Sequence, residues 1–526
     1  MAIRMSGLNS GLDTEAIVKE LMKAENQKVT NIKNKQTKLE WKTDKWKELN
    51  TKISTFYTGK LSNARFQSAY NVKKVNVADS TIASAEGVGN AVNGTHTLKV
   101  KQLAQAQSIV SGKMASGTKG STKLSDLKLS GSSDALFKTG DSFTITVNEE
   151  GEDTKTVSYT VGNDDTISSF TSKLQEAGLN AAFDSTEGRF YISSKQSGTA
   201  NSFTITKTAT TVDSDGKSTT TTTALSDILS GTDNKSITTD AADAIFKLDN
   251  VEYKKSSNTN TINGLKVTVT GTTDDYDSDT GKTTTITVSN DIDSVYKNVK
   301  ELLKEFNEVL TAVYDAYNAD DASDYDILTD DQKEEMSDDE EKQWNDKIKG
   351  ALLRRDDSAK KVLNHLQNDL TSAVVVVNGT KYSLSSFGIS SVTYTEHGKL
   401  HLDGDSDDNL TSGNEDKLKK ALEEDPDAAS EALSQLFGKL YGSTKKGSLS
   451  GLSEIAMTSN DYKSSQKFYN DKQLTTEAAD YKTELKKMQD KVADIEERYY
   501  NQFTRMEKAL STLNSQSSSI SGMIGS

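Results

Sequence analysis

Two stretches at opposite ends of this chain repeat apolar residues at a spacing near seven, and that pairing constrains the fold more than anything else. Near the start, Ile32, Leu39, Trp46 and Ile53 recur every seven residues, with Leu49 and Phe56 at the second seam position. Near the end, Leu485, Met488, Val492, Ile495, Tyr499, Gln502, Met506, Ala509 and Leu513 follow from Tyr481 in alternating steps of three and four. A stripe of this kind lies along one side of a helix and seats into the grooves of a second helix. A long helix with one apolar stripe has little stability alone, so the two ends are expected to pair. Lys35 and Lys42 interrupt the first seam and Gln502 the second. These breaks predict a pair that rearranges, and apolar surface left for further copies to bury. On that reading, replacing Lys35 and Lys42 by Leu would tighten the pair.

Between the two helices the character of the sequence changes. Segments alternate apolar and polar residues at period two, as in Ser142–Val147 and Thr156–Val161. A short helix follows, with Thr166 as its cap and Ile167, Phe170 and Leu174 on one face, then strands at 189–193 and 202–206. A second β-rich block runs through 244–248, 251–253, 265–270 and 285–288. Threonine crowds these strands because its β-branch suits an extended backbone and its hydroxyl tolerates water. Helical periodicity returns at 291–318 and at about 343–370, strands are expected near 373–402, and helices on either side of Pro426. The acid-rich segment 320–341 reads as an exposed insertion, and 207–224 as a loop or hairpin tip.

The fold class is therefore multidomain α+β: terminal helices forming a coiled-coil-like leg, with β-rich domains between them. The expected divisions are residues 1–70 (a disordered start and the N-terminal helix), 71–130 (first part of an α/β domain close to the leg), 131–240 (an inserted β-rich domain with one short helix), 241–290 (a second β-rich segment), 291–441 (helices and strands with the acidic insertion) and 442–526 (a hinge, the C-terminal helix and a flexible tail). Only 33% of the 526 residues are apolar, which favours several small cores over one large interior.

The absence of cysteine excludes disulfides, thiolate nucleophiles and zinc–thiolate sites. A net charge of −15 opposes nucleic-acid and anionic-membrane binding, and no apolar run is long enough to span a bilayer. The first residues lack the apolar core of a cleavable signal. His397 and His401 sit four apart in a strand-like context, about 13 Å from each other and too far to share an ion. Asp403–Asp408 resembles half of a calcium loop but has Asp408 where glycine is needed and Asn414 in place of the closing glutamate. No phosphate-binding glycine loop or Gly-x-Ser-x-Gly elbow occurs. No catalytic, metal or cofactor residue is expected, and no enzyme.

Several segments carry a resemblance. Residues 3–21, reading Ile-Arg-Met-Ser-Gly-Leu-Asn-Ser-Gly-Leu-Asp-Thr-Glu-Ala-Ile-Val-Lys-Glu-Leu, are similar to the amino-terminal signature of the flagellar filament cap family, also called hook-associated protein 2. Matching stretches follow in the family's order: 142–206, 256–265 with 287–291, 350–358, and Phe387–Ile389 with Gly398–Leu400 and Asp425–Asp427. The loops near 207–239 and 271–284 and the insertion at 320–341 depart from that pattern. The resemblance implies a cap at the flagellar tip, exported without a cleaved signal, that promotes folding and insertion of flagellin. It also implies a closed ring of about four to six copies. Its implied partners are flagellin, the hook–filament junction proteins and an export chaperone, with adhesion to host mucin or surface glycans as a secondary role. The oligomerisation and filament-contact residues would be Ile32, Leu39, Trp46, Leu49, Ile53, Phe56, Leu485, Met488, Val492, Ile495, Tyr499, Met506 and Leu513. The other readings are a surface adhesin and a filament or junction protein related to flagellin.

Overall fold

The computed structural model describes residues 13–458 and 467–524, apart from loop positions 89, 213, 216, 232–233, 275, 279–280 and 282. The disordered start expected at the N-terminus lies outside the described residues, as does the end of the tail. The chain divides into two compact units, one made of its two ends (up to Asn71 and from Ile292) and the other of Val72–Asp291.

In the helical unit, the N-terminal helix runs Thr14–Phe56, and Asp13 caps it by accepting from the Ala16 amide at 2.9 Å. It passes without a break into a π-helical turn, Tyr57–Leu61. The central helix, Ile292–Tyr317, buries Val295, Val299, Leu302, Leu303, Phe306, Val309, Leu310 and Val313, the stripe its periodicity predicts. The single helix expected over about 343–370 is two, Asp338–Ala351 and Asp357–Asn368. Arg355 takes a left-handed φ of 55° and Asp356 caps the second helix, so the chain turns between them. Proline begins the helix Pro426–Tyr441, where its missing N–H costs nothing, behind the Asp425 cap.

The expected hinge at 442–452 is instead a closed loop. Gly442, at φ 85°, lies against Ser450, and a Cβ there would meet the Ser450 carbonyl at 1.7 Å. The Ser443 amide donates to Ser450 Oγ and the Ser453 hydroxyl to the Tyr441 carbonyl. A buried short helix, Gly451–Thr458, follows.

The β-rich unit contains two cores. The first packs a five-stranded sheet against a three-stranded one, both antiparallel. The five strands, in spatial order, are Lys73–Val77, Thr284–Asn290, Gly94–Gln102, Ala244–Leu248 and Val251–Lys255. Residues 241–290 are therefore no separate segment, because they interleave with 73–102 around Leu98, Val100, Phe246, Ile286 and Val288. No α-helix joins this core among the described residues of 71–130, contrary to the α/β expectation.

The second core gathers two four-stranded sheets and the helix Ile167–Ala177 around Phe137, Phe143, Phe170, Phe190 and Phe203. Thr166 and Ser169 form a reciprocal capping box at the start of that helix, worth about 1 kcal/mol. The core reaches from Ile109 to Leu229, so the inserted domain begins before residue 131. The threonine-rich stretch is a hairpin, Phe203–Val212 with Ser218–Ala224. The chain leaves the first core beside the point where it returns, since Gln102 pairs with Ile245 and Gln105 bridges Ala242. The same holds one level down, where Lys73 pairs with Asn290 and the Asp291 amide donates to the Val72 carbonyl at 2.8 Å.

Candidate functional site

The terminal helices pair, as the two stripes require. The C-terminal helix spans Asp471–Ile524, about 80 Å, and the N-terminal helix about 65 Å. Trp46 stacks on Tyr469 (centroids 5.2 Å apart, planes 11° from parallel), and Asn50 Oδ1 accepts from the Phe468 amide at 2.7 Å. Farther along, Val18 and Met22 pack on Val492, with Met488, Ile495, Tyr499, Tyr500 and Phe503 half-buried around them. The start of one helix thus lies beside the end of the other, an antiparallel pair.

The two stripes have different fates. Ile32, Leu39, Trp46, Leu49, Ile53 and Phe56 are all buried. Phe56 meets Phe306 of the central helix edge-on at 6.2 Å. The neighbouring Tyr57 stacks on Tyr441 at 4.4 Å and shares a hydrogen bond with the Ser453 hydroxyl. The N-terminal stripe is therefore sealed within one chain over this half, which corrects the expectation that it waits for other copies. Of the expected seam residues on the C-terminal helix, Val492 is buried and Leu485, Met488, Ile495, Tyr499 and Met506 are half-buried. Leu513 is 59% and Ile520 57% exposed, in the part of the helix that runs on past Thr14.

The lysines in the first seam do not loosen it. Lys35 is solvent-exposed. Lys42 pairs with Asp356 at 2.8 Å, the same carboxylate that caps the helix Asp357–Asn368. The N-terminal helix is fastened sideways by further contacts: Lys38 to Asp326 (3.1 Å), Lys60 to Glu301 (2.6 Å), and the Lys349 ammonium 4.8 Å from the Trp41 ring centre. Asp326 belongs to the acid-rich segment, and its carbonyl accepts from the Trp344 indole at 2.8 Å. That segment is thus anchored against the helix rather than wholly free. It also forms the short helix Asp330–Glu334 and the start of Asp338–Ala351.

Electrostatics across the pair are mild. The Lys28 hydrogen bond holds the Glu25 carboxyl below its ordinary value, with Lys491 of the opposite helix adding to it. Burial, reinforced by Asp471, pushes the Tyr469 phenol up to about 12, so it remains a neutral donor.

The residues weighed for chemistry serve packing and charge neutralisation. His397 stacks on Tyr314 at 3.9 Å. His401 lies between Asp408 (Nδ1 to Oδ2, 2.5 Å) and Glu396 (Nε2 to Oε2, 2.7 Å). The acids of the calcium-like stretch each meet a cation or amide: Asp403 takes Asn414 and Lys417, while Lys300 bridges Asp405 and Asp407, both at 2.6 Å. Among the described residues no cluster of three or more His, Asp or Glu is arranged to hold a metal ion. Nor is any described helix long and apolar enough to cross a membrane.

The contacts that sequence reasoning missed are Asn50, Tyr57, Tyr441, Ser453 and Phe468. Tyr57 extends the stripe by one position beyond Phe56, where a π-turn shifts the helical phase. No heptad count reaches it.

Comparison with known proteins places this architecture. Residues 241–515 match the family described as flagellar hook-associated protein 2 C-terminus, and residues 10–107 its N-terminus. Flagellar hook-associated protein 2 of Halalkalibacterium halodurans is 26% identical over 98% of this chain and 99% of its own length. The Thermotoga maritima protein of the same name is 25% identical over 98% and 95%. A crystal structure of the D1–D2–D3 domains of the flagellar cap protein FliD from Escherichia coli aligns with 79% of this chain and 99% of that one, at 16% identity and a TM-score of 0.49. With more than half its length matched to one family and relatives aligned end to end, the chain belongs to the flagellar hook-associated protein 2 family.

Proposed function

We propose that this protein caps the distal tip of the flagellar filament as a closed ring of about four to six copies. Beneath the ring, exported flagellin folds and inserts. The protein reaches the tip through the flagellar export apparatus without a cleaved signal, escorted by a chaperone, and meets flagellin and the junction proteins there. One observation supports this beyond family membership. The C-terminal helix carries exposed apolar residues, Leu513 and Ile520, beyond Thr14 of its partner helix, apolar surface suited to burial against a neighbouring copy. Electron microscopy of the purified protein tests the reading. Small closed rings that restore filament growth in cap-deficient cells are expected. Long fibres would make it a filament or junction protein instead, and a monomer that never reaches the tip would overturn the cap.

A second reading, adhesion to surface saccharides, is favoured by the uncharged strand Ser218–Ala224, whose residues 218–222 are exposed on both faces.

A further inference from the structure

One sheet of the β-rich unit turns an unusual face to solvent. Its strands run in the order Ile237–Thr239, Ser108–Val110, Arg189–Ser193, Asn180–Asp184. Their register aligns two rows of side chains across all four strands. One row is Ile237, Val110, Tyr191 and Ala182, and the other is Thr239, Ser108, Ser193 and Asn180. Residues two apart share a face, so both rows lie on the side opposite Ile109, Ile192 and Ala181, which are buried in the core.

Tyr191 is 42% exposed on this face. Its neighbours in the row, Val110 and Ala182, are too short to cover a phenol ring. The Asn180 amide beside it donates only long bonds, 3.5 Å to Ser193 Oγ and 3.4 Å to the Ser194 carbonyl, so its donors remain available. A cavity of about 600 Å³ lies here; its lining includes Ser108, Val110, Asn180, Ala182, Tyr191 and Ser193 along with parts of the core-facing residues between them, and Lys195 is the one charged side chain in it.

The chemistry of the two rows selects the ligand. An aromatic ring stands beside a line of uncharged hydroxyls and an amide, which suits a molecule apolar on one side and rich in neutral hydroxyls on the other. Arg189 and Asp184, one pair farther along the same face, lie outside the cavity lining, and the Arg189 guanidinium is turned to the Ser111 carbonyl. Within the cavity a multiply charged ligand would therefore meet little opposite charge beyond Lys195. A stable protein partner needs about 800 Å² on each side, while four strands span only about 14 Å. The volume falls in the ordinary range for a small-molecule site, about 300–1,000 Å³. We propose that this face binds a neutral saccharide, with a pyranose ring resting its C–H face on Tyr191. Asn180, Ser193 and Ser108 hydrogen-bond its hydroxyls. The proposal deepens the adhesive reading and rests on it; cap assembly stands apart.

Saturation-transfer NMR on the full-length protein tests it, with methyl β-galactoside, methyl N-acetyl-β-glucosaminide and methyl α-mannoside as probes. At least one glycoside is expected to bind. Tyr191→Phe should keep that binding, since the ring and not the hydroxyl makes the contact. Tyr191→Ala should weaken it about tenfold with the melting temperature unchanged. Asn180→Ala, which leaves the ring in place, should weaken it several-fold. Binding unaffected by both alanine variants overturns this site while leaving adhesion elsewhere on the protein. No transfer from any of the three probes overturns the saccharide reading altogether, and neither result bears on ring formation.

Discussion

Replacing Trp46 with alanine separates two accounts of the terminal helices. If its stripe is a seam between subunits, the monomer should hardly notice the change and assembly should suffer. The structure requires the opposite. Trp46 is 1% exposed and stacked on Tyr469, where the C-terminal helix begins. Truncating a buried tryptophan costs about 3–5 kcal/mol, from lost apolar burial and the cavity left behind. That is a large share of the roughly 5–15 kcal/mol that holds a typical folded domain together. At about 2–4 °C per kcal/mol for a large domain, the melting point should fall by about 6–20 °C. Because the β-rich unit has its own cores, calorimetry of dilute monomer should show one transition moving and the other fixed. A fall of under about 2 °C, with ring formation abolished, would refute the reasoning and restore the intersubunit seam.

Other expectations follow from single contacts. Lys42→Leu should destabilise by up to about 1 kcal/mol in chemical denaturation, because it strips Asp356 of its ion pair, while Lys35→Leu should be near neutral. Any stabilisation by the Lys42 change would count against this. Gly442→Ala should cost more than about 2 kcal/mol and shift the helical transition, since the new Cβ collides with the Ser450 carbonyl. For Asp408, burial works to raise the pKa but is outweighed by the His401 hydrogen bond and the Leu410 amide, leaving the carboxyl below its ordinary value. Its contribution to stability is therefore present above about pH 3.9 and lost as pH falls through that lower value, so Asp408→Asn should flatten the acid limb of the melting curve. The hydrogen bond to Asp369 raises the His365 pKa against the effect of burial. Its stabilisation is complete below about pH 6.5 and lost as pH climbs through the raised value, and His365→Gln should remove that slope from the alkaline side.

The sequence carried the elements well where one face decides their fate. The stripe of the central helix, the Thr166 cap and the alternating strands all fall where their periodicities put them. Which strands share a sheet was not legible. The hairpin at 142–160 and the strands at 180–193 lie in different sheets, because each is completed by segments distant in the chain, Ser218–Ala224 and Ser108–Val110. The break at Arg355 is a single left-handed residue that no apolar period registers. At the paired helices, spacing identified the residues of the seam but not their covering. Lys42 looks like a defect until Asp356 is placed opposite it. The face proposed for a saccharide escaped notice for the same reason, since Tyr191 stands beside Val110 and Ala182 only across the sheet.

The adjacency of outgoing and returning strands, seen twice in the β-rich unit, makes the molecule a set of nested cassettes. Cutting at 72 and 291, or at about 105 and 242, leaves two ends already side by side, so a linker of a few residues can rejoin them at little loop-closure cost. Each outer layer can be deleted, enlarged or exchanged for another while the layer beneath keeps its hydrogen-bonded frame. The β-rich cassettes can thus be remodelled without renegotiating the packing of the two terminal helices on each other.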